Sequence, residues 1–274
     1  MGVGRYWLGC SGWAYGDWVG PFYPSGTPPG EFLGRYARVF RTVEVDSSFY
    51  RSPTPFLVRR WASVTPDGFR FSLKVPRDVT HPQKGADGAA ALQTFLSGVE
   101  PLRSVGKLGP VVLQFPASFR ARESPRLLAT LQAVPREYLL AVELRHDSWW
   151  TPETRRDLEG RGAALVWSVV PDVRPPPWVT ADFLYARFIG DRALTRFDRI
   201  QRDRQSDLEA MRDLFDREGR SATTVFAYSN NHFMGFGPET TARFSEVLGE
   251  PRPDLGAASR VPGQTRLGED PSRT

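Results

Sequence analysis

Phe69-Arg70-Phe71-Ser72-Leu73-Lys74-Val75 alternates strictly between apolar and polar side chains. Successive side chains of a strand point to opposite faces, so the four apolar residues share one face and Arg70, Ser72 and Lys74 share the other. The apolar face suits packing against helices. The polar face needs a place that tolerates charge, and in a closed parallel barrel that place is the interior. Thr42-Val43-Glu44-Val45-Asp46 repeats the pattern with Glu44 and Asp46 on the polar side, and Ala141-Val142-Glu143-Leu144-Arg145 repeats it with Glu143 and Arg145. Gln114, Tyr185, Arg187 and Asn230 obey the same parity on three further runs.

Outward from these stretches, eight short runs read as strands: 6–10, 42–45, 69–75, 110–115, 139–144, 164–168, 183–189 and 223–229. They are rich in Val, Phe, Leu and Tyr, residues that fit a pleated surface. Helical patterns fall between or after them at 31–40, 55–64, 91–105, 125–134, 152–161, 206–218 and 238–248. Ser124-Pro125 and Thr151-Pro152 read as an N-cap followed by proline in the first turn. Gly219 and Gly249 stand where a helix end favours a left-handed residue. Pro171, Pro175, Pro176 and Pro177 leave no room for a helix between the sixth and seventh strands, so one connection is irregular.

Eight strands alternating with helices over this length predict a single (β/α)8 TIM-type barrel. A doubly wound open sheet is disfavoured by the lack of a Gly-x-Gly-x-x-Gly turn after the first strand. The expected boundaries are a barrel domain over 1–249 and a disordered tail over 250–274, where Gly, Pro, Ser and Arg occur without periodicity.

Composition narrows the class. Hydrophobic residues make up 40% of the 274-residue chain, enough for a sizeable core. No apolar run is long enough to span a membrane, and Met1-Gly2-Val3-Gly4-Arg5 lacks the layout of a secretion signal. Cys10 is the only cysteine, so no internal disulfide forms; the expectation is a cytoplasmic protein without membrane partners. The net charge of +5 is compatible with anionic partners, including nucleic acid, but no basic run concentrates it. Lys74, Lys84 and Lys107 are the only lysines among 36 basic residues, and His81, His146 and His232 the only histidines, so each is less interchangeable than an arginine.

Most inward polar residues lie near C-terminal strand ends, where barrels of this kind place their sites. Glu44, Asp46 and Glu143 would face Lys74, Arg145 and Arg187. Buried charges cost several kcal/mol each unless they pair or serve a site. The chemistry this favours is acid–base or electrostatic catalysis on a small polar, anionic substrate bearing phosphate or carboxylate: a hydrolase, lyase or isomerase. Glu143 and Glu44 are the candidate acid and base, with Lys74 in the catalytic set. Lys74, Arg145 and Arg187 would hold the anion. Asp46, Gln114, Asn230, His232 and Trp13 would complete the substrate pocket. The plainer alternative is an ion network that merely fills the barrel.

Paired carboxylates also raise glycoside hydrolysis, but three inward cations suit a neutral sugar poorly. Two other classes use the same residues: a nucleic-acid-binding or -processing protein relying on arginines and loop aromatics, and a non-catalytic metabolite binder. No cofactor is expected. Glu44, Asp46, Glu143 and His232 could ligate a divalent metal, yet no His-x-His or His-Glu-x-x-His pattern is present, and the site is read without one. Trp13, Tyr15, Trp18, Phe22 and Tyr23 crowd the first loop, and for most loop aromatics packing onto the barrel is the expected role.

Five ordered motifs point further: Gly9-Cys10-Ser11-Gly12-Trp13, Thr42 through Tyr50, Phe71-Ser72-Leu73-Lys74-Val75-Pro76, Val142-Glu143-Leu144-Arg145-His146-Asp147-Ser148-Trp149, and Asn230-Asn231-His232. In this order and spacing the chain resembles the YecE-like family, domain of unknown function 72 (DUF72), over roughly residues 6–249. The resemblance implies a TIM-type barrel and brings no activity with it. It also marks two departures. Ile189-Gly190 stands where relatives tend to have His-Gly, and Asp46 where they usually have Asn. The second adds a carboxylate to the barrel mouth.

Overall fold

The computed structural model describes residues 5–81, 87–171 and 173–260. Eight parallel strands close into a barrel in chain order: β1 (Tyr6–Ser11), β2 (Thr42–Val45), β3 (Arg70–Lys74), β4 (Leu108–Gln114), β5 (Leu140–Glu143), β6 (Ala163–Val169), β7 (Phe183–Phe188) and β8 (Thr224–Ser229). The helices are α1 (Phe32–Tyr36), α2 (Pro55–Ser63), α3 (Arg77–Thr80), α4 (Gly88–Ser104), α5 (Ser124–Ala133), α6 (Pro152–Arg161), α7 (Gln205–Glu218), α8 (Asn231–Met234) and α9 (Gly237–Val247). This is the (β/α)8 arrangement expected from the strand count. No helix among the described residues is long and apolar enough to cross a membrane.

The parity of each strand sorts its side chains. Phe71 and Leu73 of β3 are fully buried in the outer apolar layer, where Trp61 of α2 stacks on Phe71 at 5.9 Å. Inside the barrel, the lower layer is apolar: Trp7 stacks on Phe226, and Phe183 meets Phe226 edge-on. Above it lies a layer of hydroxyls. Tyr228 bonds Thr42 Oγ1 at 2.8 Å, and Tyr185 bonds Ser72 Oγ at 2.7 Å. The charged layer rests on these tyrosines.

Between β6 and β7, residues 170–182 carry no helix among those described, as the prolines require. Thr180 compensates by hydrogen-bonding to β6: its hydroxyl accepts from the Leu165 N–H and donates to the Ala163 carbonyl. Where a helix would lie, Trp167, Val169, Pro171, Pro175, Met211 and Leu214 border a cavity of about 440 Å³.

Local signals hold in part. Thr151 caps α6, accepting from the Thr154 N–H, and Gly249 has the expected positive φ. Ser124, read as a cap, is already helical, because a 3-10 turn at Ala121–Glu123 starts the helix earlier. Gly219 has a right-handed φ of −81°, since α7 runs on into a further 3-10 turn instead of stopping.

The expected disordered tail needs correcting over its first part. Residues 251–260 are an ordered strap, with Ala258 buried and a 3-10 turn at Leu255–Ser259. Side chains elsewhere satisfy or anchor the strap: Arg35 donates to the Ala258 carbonyl, Ser245 to the Pro251 carbonyl, and Arg252 pairs with Glu239 and Glu246. A segment without periodicity can be fixed in this way without forming a regular element. Residues 261–274 and Lys84 lie outside the described residues.

The β1–β2 seam is closed by a side chain. Tyr36 of α1 inserts its hydroxyl between the strands, accepting from the Cys10 N–H at 2.8 Å and donating to the Thr42 carbonyl at 2.9 Å. Only glycine leaves room for it, because a Cβ at position 9 would lie 2.2 Å from the Thr42 carbonyl oxygen and 3.0 Å from the Tyr36 hydroxyl. Tyr36→Phe strands two buried backbone groups and is expected to cost about 2 kcal/mol. Gly9→Ala forces backbone apart and is expected to cost at least about 3 kcal/mol. Urea denaturation of both variants checks the order; Gly9→Ala at wild-type stability refutes the seam.

Candidate functional site

The side chains that cap the barrel interior converge on one guanidinium. Arg187 of β7 donates from Nε (3.2 Å) and Nη2 (2.8 Å) to Glu44 Oε1, and from Nη1 (2.5 Å) to Glu143 Oε2. It also reaches Asp46 from Nη2 at 3.2 Å. Arg187, Glu44 and Glu143 are buried; β2, β5 and β7 deliver them at matching heights because each sits at an inward parity position near a C-terminal strand end. Glu44 is saturated further by Ser11 Oγ at 2.8 Å and Tyr185 Oη at 2.7 Å. Glu143 receives a second bond, 2.6 Å from Arg145 Nε.

The electrostatics follow from this packing. Burial alone would raise the Glu143 carboxyl, but Arg187, Arg145 and Lys74 outweigh it and hold it down at about 2. Burial would likewise depress Arg187, yet Glu44, Glu143 and Asp46 raise it well above its ordinary value. Arg187 and Glu143 are therefore held in their ionised forms.

Lys74 is placed differently. Its side chain is buried, with the ammonium over the Phe49 ring at 4.2 Å and one carboxylate, Asp46, at 3.5 Å. Asp46 is already shared with Arg187. Burial lowers the Lys74 pKa; Asp46 opposes that and Arg187 adds to it. Beside Lys74, His81 packs edge-on against Phe49 at 5.2 Å. Its basicity is lowered by burial and then by the positive charges of Arg77, Lys74, Arg145 and Arg126. The rim over β3–β5 is thus cationic. A cavity of about 200 Å³, bordered by Gly12, Trp13, Tyr15 and Asp46, opens at the other side of Asp46.

The remaining expected residues divide. Gln114 stands in register beside Glu143 and is almost fully buried. Trp13 borders the small cavity, its ring braced edge-on by Trp61 and Phe71. Asn230 does not join the charged layer. Its Oδ1 accepts the His232 N–H and caps α8, a local bond that draws asparagine away from the interior. His232 rests its ring on Phe197 and makes no hydrogen bond to the network. The four residues considered as metal ligands are not assembled: no group of three His, Cys, Asp or Glu side chains among the described residues is placed to hold a metal ion.

Cys10 is buried outside the network, against Thr241, and burial pushes its thiol up to about 12, which makes it an unreactive packing residue. Most loop aromatics also pack, including Trp18, Phe22, Tyr23 and Trp149. Ser11 and Phe49 are additions to the expected set. The parity Trp7, Gly9, Ser11 would have exposed the first, but nothing local marks Phe49.

Residues 7–265 match the family described as protein of unknown function DUF72. The chain belongs to the DUF72 family. It is 28% identical to the UPF0759 protein YecE of Escherichia coli strain K12, across 95% of this chain and 99% of that protein. The UPF0759 protein YunF of Bacillus subtilis is 28% identical over 151 residues, 53% of this chain and 52% of that one. A DUF72 family protein from Thermotoga maritima, TM1631, superposes with a TM-score of 0.77 at 29% identity, covering 90% of this chain and all of the other. The Enterococcus faecalis protein EF0366, at 22% identity and a TM-score of 0.73, shares the fold. In this DUF72 barrel the Asp46 carboxylate bridges Arg187 and Lys74.

Two outcomes test the network. Removing the shared cation with Arg187→Leu leaves Glu44 buried without a counter-ion and Glu143 with Arg145 alone, and is expected to cost about 3–5 kcal/mol in urea denaturation. Because the Glu143 pKa is lowered by folding, its ionised form stabilises the protein above pH 4.5, and that contribution disappears as the pH falls towards 2. Stability measured across that window should fall steeply with acid; a flat profile rules out the ionised network.

Proposed function

We propose that the charged upper layer of the barrel is an active site for a small anionic substrate bearing phosphate or carboxylate, and that Lys74 is its proton-transferring group. The observation that carries this reading is the contrast between Lys74 and the two buried glutamates. Every oxygen of Glu44 and Glu143 has a partner, so these carboxylates serve as the electrostatic frame that holds Arg187 and orients Arg145. Lys74 has one long, shared carboxylate contact and a depressed pKa, the properties of an amine that releases its proton more readily than an ordinary lysine.

Arg145 keeps 26% of its side chain exposed and faces the same rim as His81. An anion entering there would find Arg145, neutral His81 and the Lys74 ammonium, and its charge would in turn support the protonated lysine. Gln114, Asp46 and Trp13 would line the rest of the pocket.

The test is a mass-spectrometric comparison of a pool of phosphorylated and carboxylated metabolites before and after incubation with the wild-type protein or Lys74→Met. A species consumed by the wild type and at least about 100-fold more slowly by the folded variant supports the assignment. Equal consumption removes Lys74 from the chemistry. Retention of one species without conversion makes the barrel a binder, and no retention at all overturns the reading.

A further inference from the structure

The opposite end of the barrel carries a second charged cluster. β1, β2 and β3 are adjacent, and an arginine stands at the N-terminal end of each: Arg5 before Tyr6, Arg41 before Thr42, and Arg70 as the first residue of β3. The register brings all three to one aromatic ring. Their guanidinium carbons lie 4.4, 5.3 and 5.3 Å from the centroid of Trp7, which closes the barrel floor and stacks on Phe226 behind it.

Among the described residues none of the three has a carboxylate within salt-bridge distance. The Arg70 pKa is lowered by burial and then by Arg5 and Arg41, with no anion offsetting them. Its one side-chain hydrogen bond goes to the neighbouring Phe69 carbonyl. Some arginines elsewhere in the chain are ion-paired, as Arg35, Arg103, Arg155 and Arg243 are, but at no other ring do three guanidinium groups converge among the described residues.

A cation–π brace needs one guanidinium. A second and third on the same ring add mutual repulsion within about one Debye length at 0.1 M salt. The N-terminal face of such barrels ordinarily serves stability, and three unpaired like charges do the reverse.

We infer that Arg5, Arg41 and Arg70 form a binding site for a phosphate oxyanion at the N-terminal mouth, separate from the charged layer above. A tetrahedral oxyanion bridges several guanidinium forks through charge-assisted hydrogen bonds and removes the repulsion that the empty cluster carries. The phosphate could belong to a small polyphosphate or to a nucleic-acid backbone; the chemistry is shared.

The experiment uses the full chain in low-salt buffer free of phosphate. Thermal unfolding and calorimetric titration are run with pyrophosphate, with potassium chloride at matched ionic strength as the control. The proteins are wild type, Arg41→Gln, Arg5→Gln and, for the opposite mouth, Arg145→Gln. Arg41 and Arg5 are exposed, so their variants are expected to fold. The expected result is a pyrophosphate-specific rise in Tm that survives Arg145→Gln, with affinity lowered about tenfold or more in Arg41→Gln and Arg5→Gln.

Without anion, the Arg41→Gln Tm should equal or exceed that of the wild type, because repulsion is relieved. Pyrophosphate shifts unchanged in both arginine variants would overturn the site, as would a loss confined to Arg145→Gln. A Tm several degrees lower in the arginine variants without any anion response would make the cluster a structural brace. A parallel titration with a fluorescent 20-nucleotide oligothymidine separates the sources: saturable binding lost in Arg41→Gln assigns a nucleic-acid backbone, and pyrophosphate binding alone assigns a small phosphate.

Discussion

The upper half of this barrel depends on one guanidinium held between two buried carboxylates. Arg187 cannot lose its charge, Glu143 is kept ionised beside it, and Glu44 takes two of its hydrogen bonds, so the three form a unit that is stable only when complete. Its position fixes much around it. Glu44 needs the Ser11 and Tyr185 hydroxyls to occupy its remaining lone pairs, and Tyr185 in turn engages Ser72. Five strands are tied through side chains that a purely aliphatic interior would not connect.

The same completeness decides what the unit can do. A carboxylate whose oxygens are all engaged, and whose pKa is pressed down to about 2, is a poor proton carrier at neutral pH. It is a good fixed charge. Lys74 is the reverse: close enough to the network to be held, yet supported by only a shared contact with Asp46. Reactivity is therefore expected at the edge of the frame and not at its centre. Asp46 mediates between the two, and its 29% side-chain exposure leaves it open to the small cavity beside Trp13.

Much of this was legible in the sequence because parity is local. Glu44, Ser72, Lys74, Gln114, Glu143, Tyr185 and Arg187 could each be assigned to the interior from neighbours one and two residues away. Their pairing could not be read in the same way. Glu44 and Arg187 are 143 residues apart, and only closure of the barrel makes β2 and β7 face each other. Asn230 shows where parity fails: an asparagine at a strand end can bond the backbone two residues on, and that bond wins when a short helix follows. The strap at 251–260 escaped for a related reason. Its order comes from Arg35, Ser245 and Glu239, residues outside the segment, so its own composition carries no sign of it.

The two ends of the barrel spend charge in opposite ways. At the C-terminal mouth three cations meet three carboxylates, so this layer contributes nothing to the chain's net charge of +5. The excess has to reside elsewhere, and the arginines gathered on Trp7 are one place where no carboxylate accompanies it among the described residues. On its helix surfaces the chain does set carboxylates beside arginines, as at Arg35, Arg103, Arg155 and Arg243. Their omission at three consecutive strand starts leaves a field that folding gains nothing from and that an anion would complete. The paired layer inside the C-terminal mouth holds the architecture; unpaired charge at the other end attracts what the chain itself does not supply.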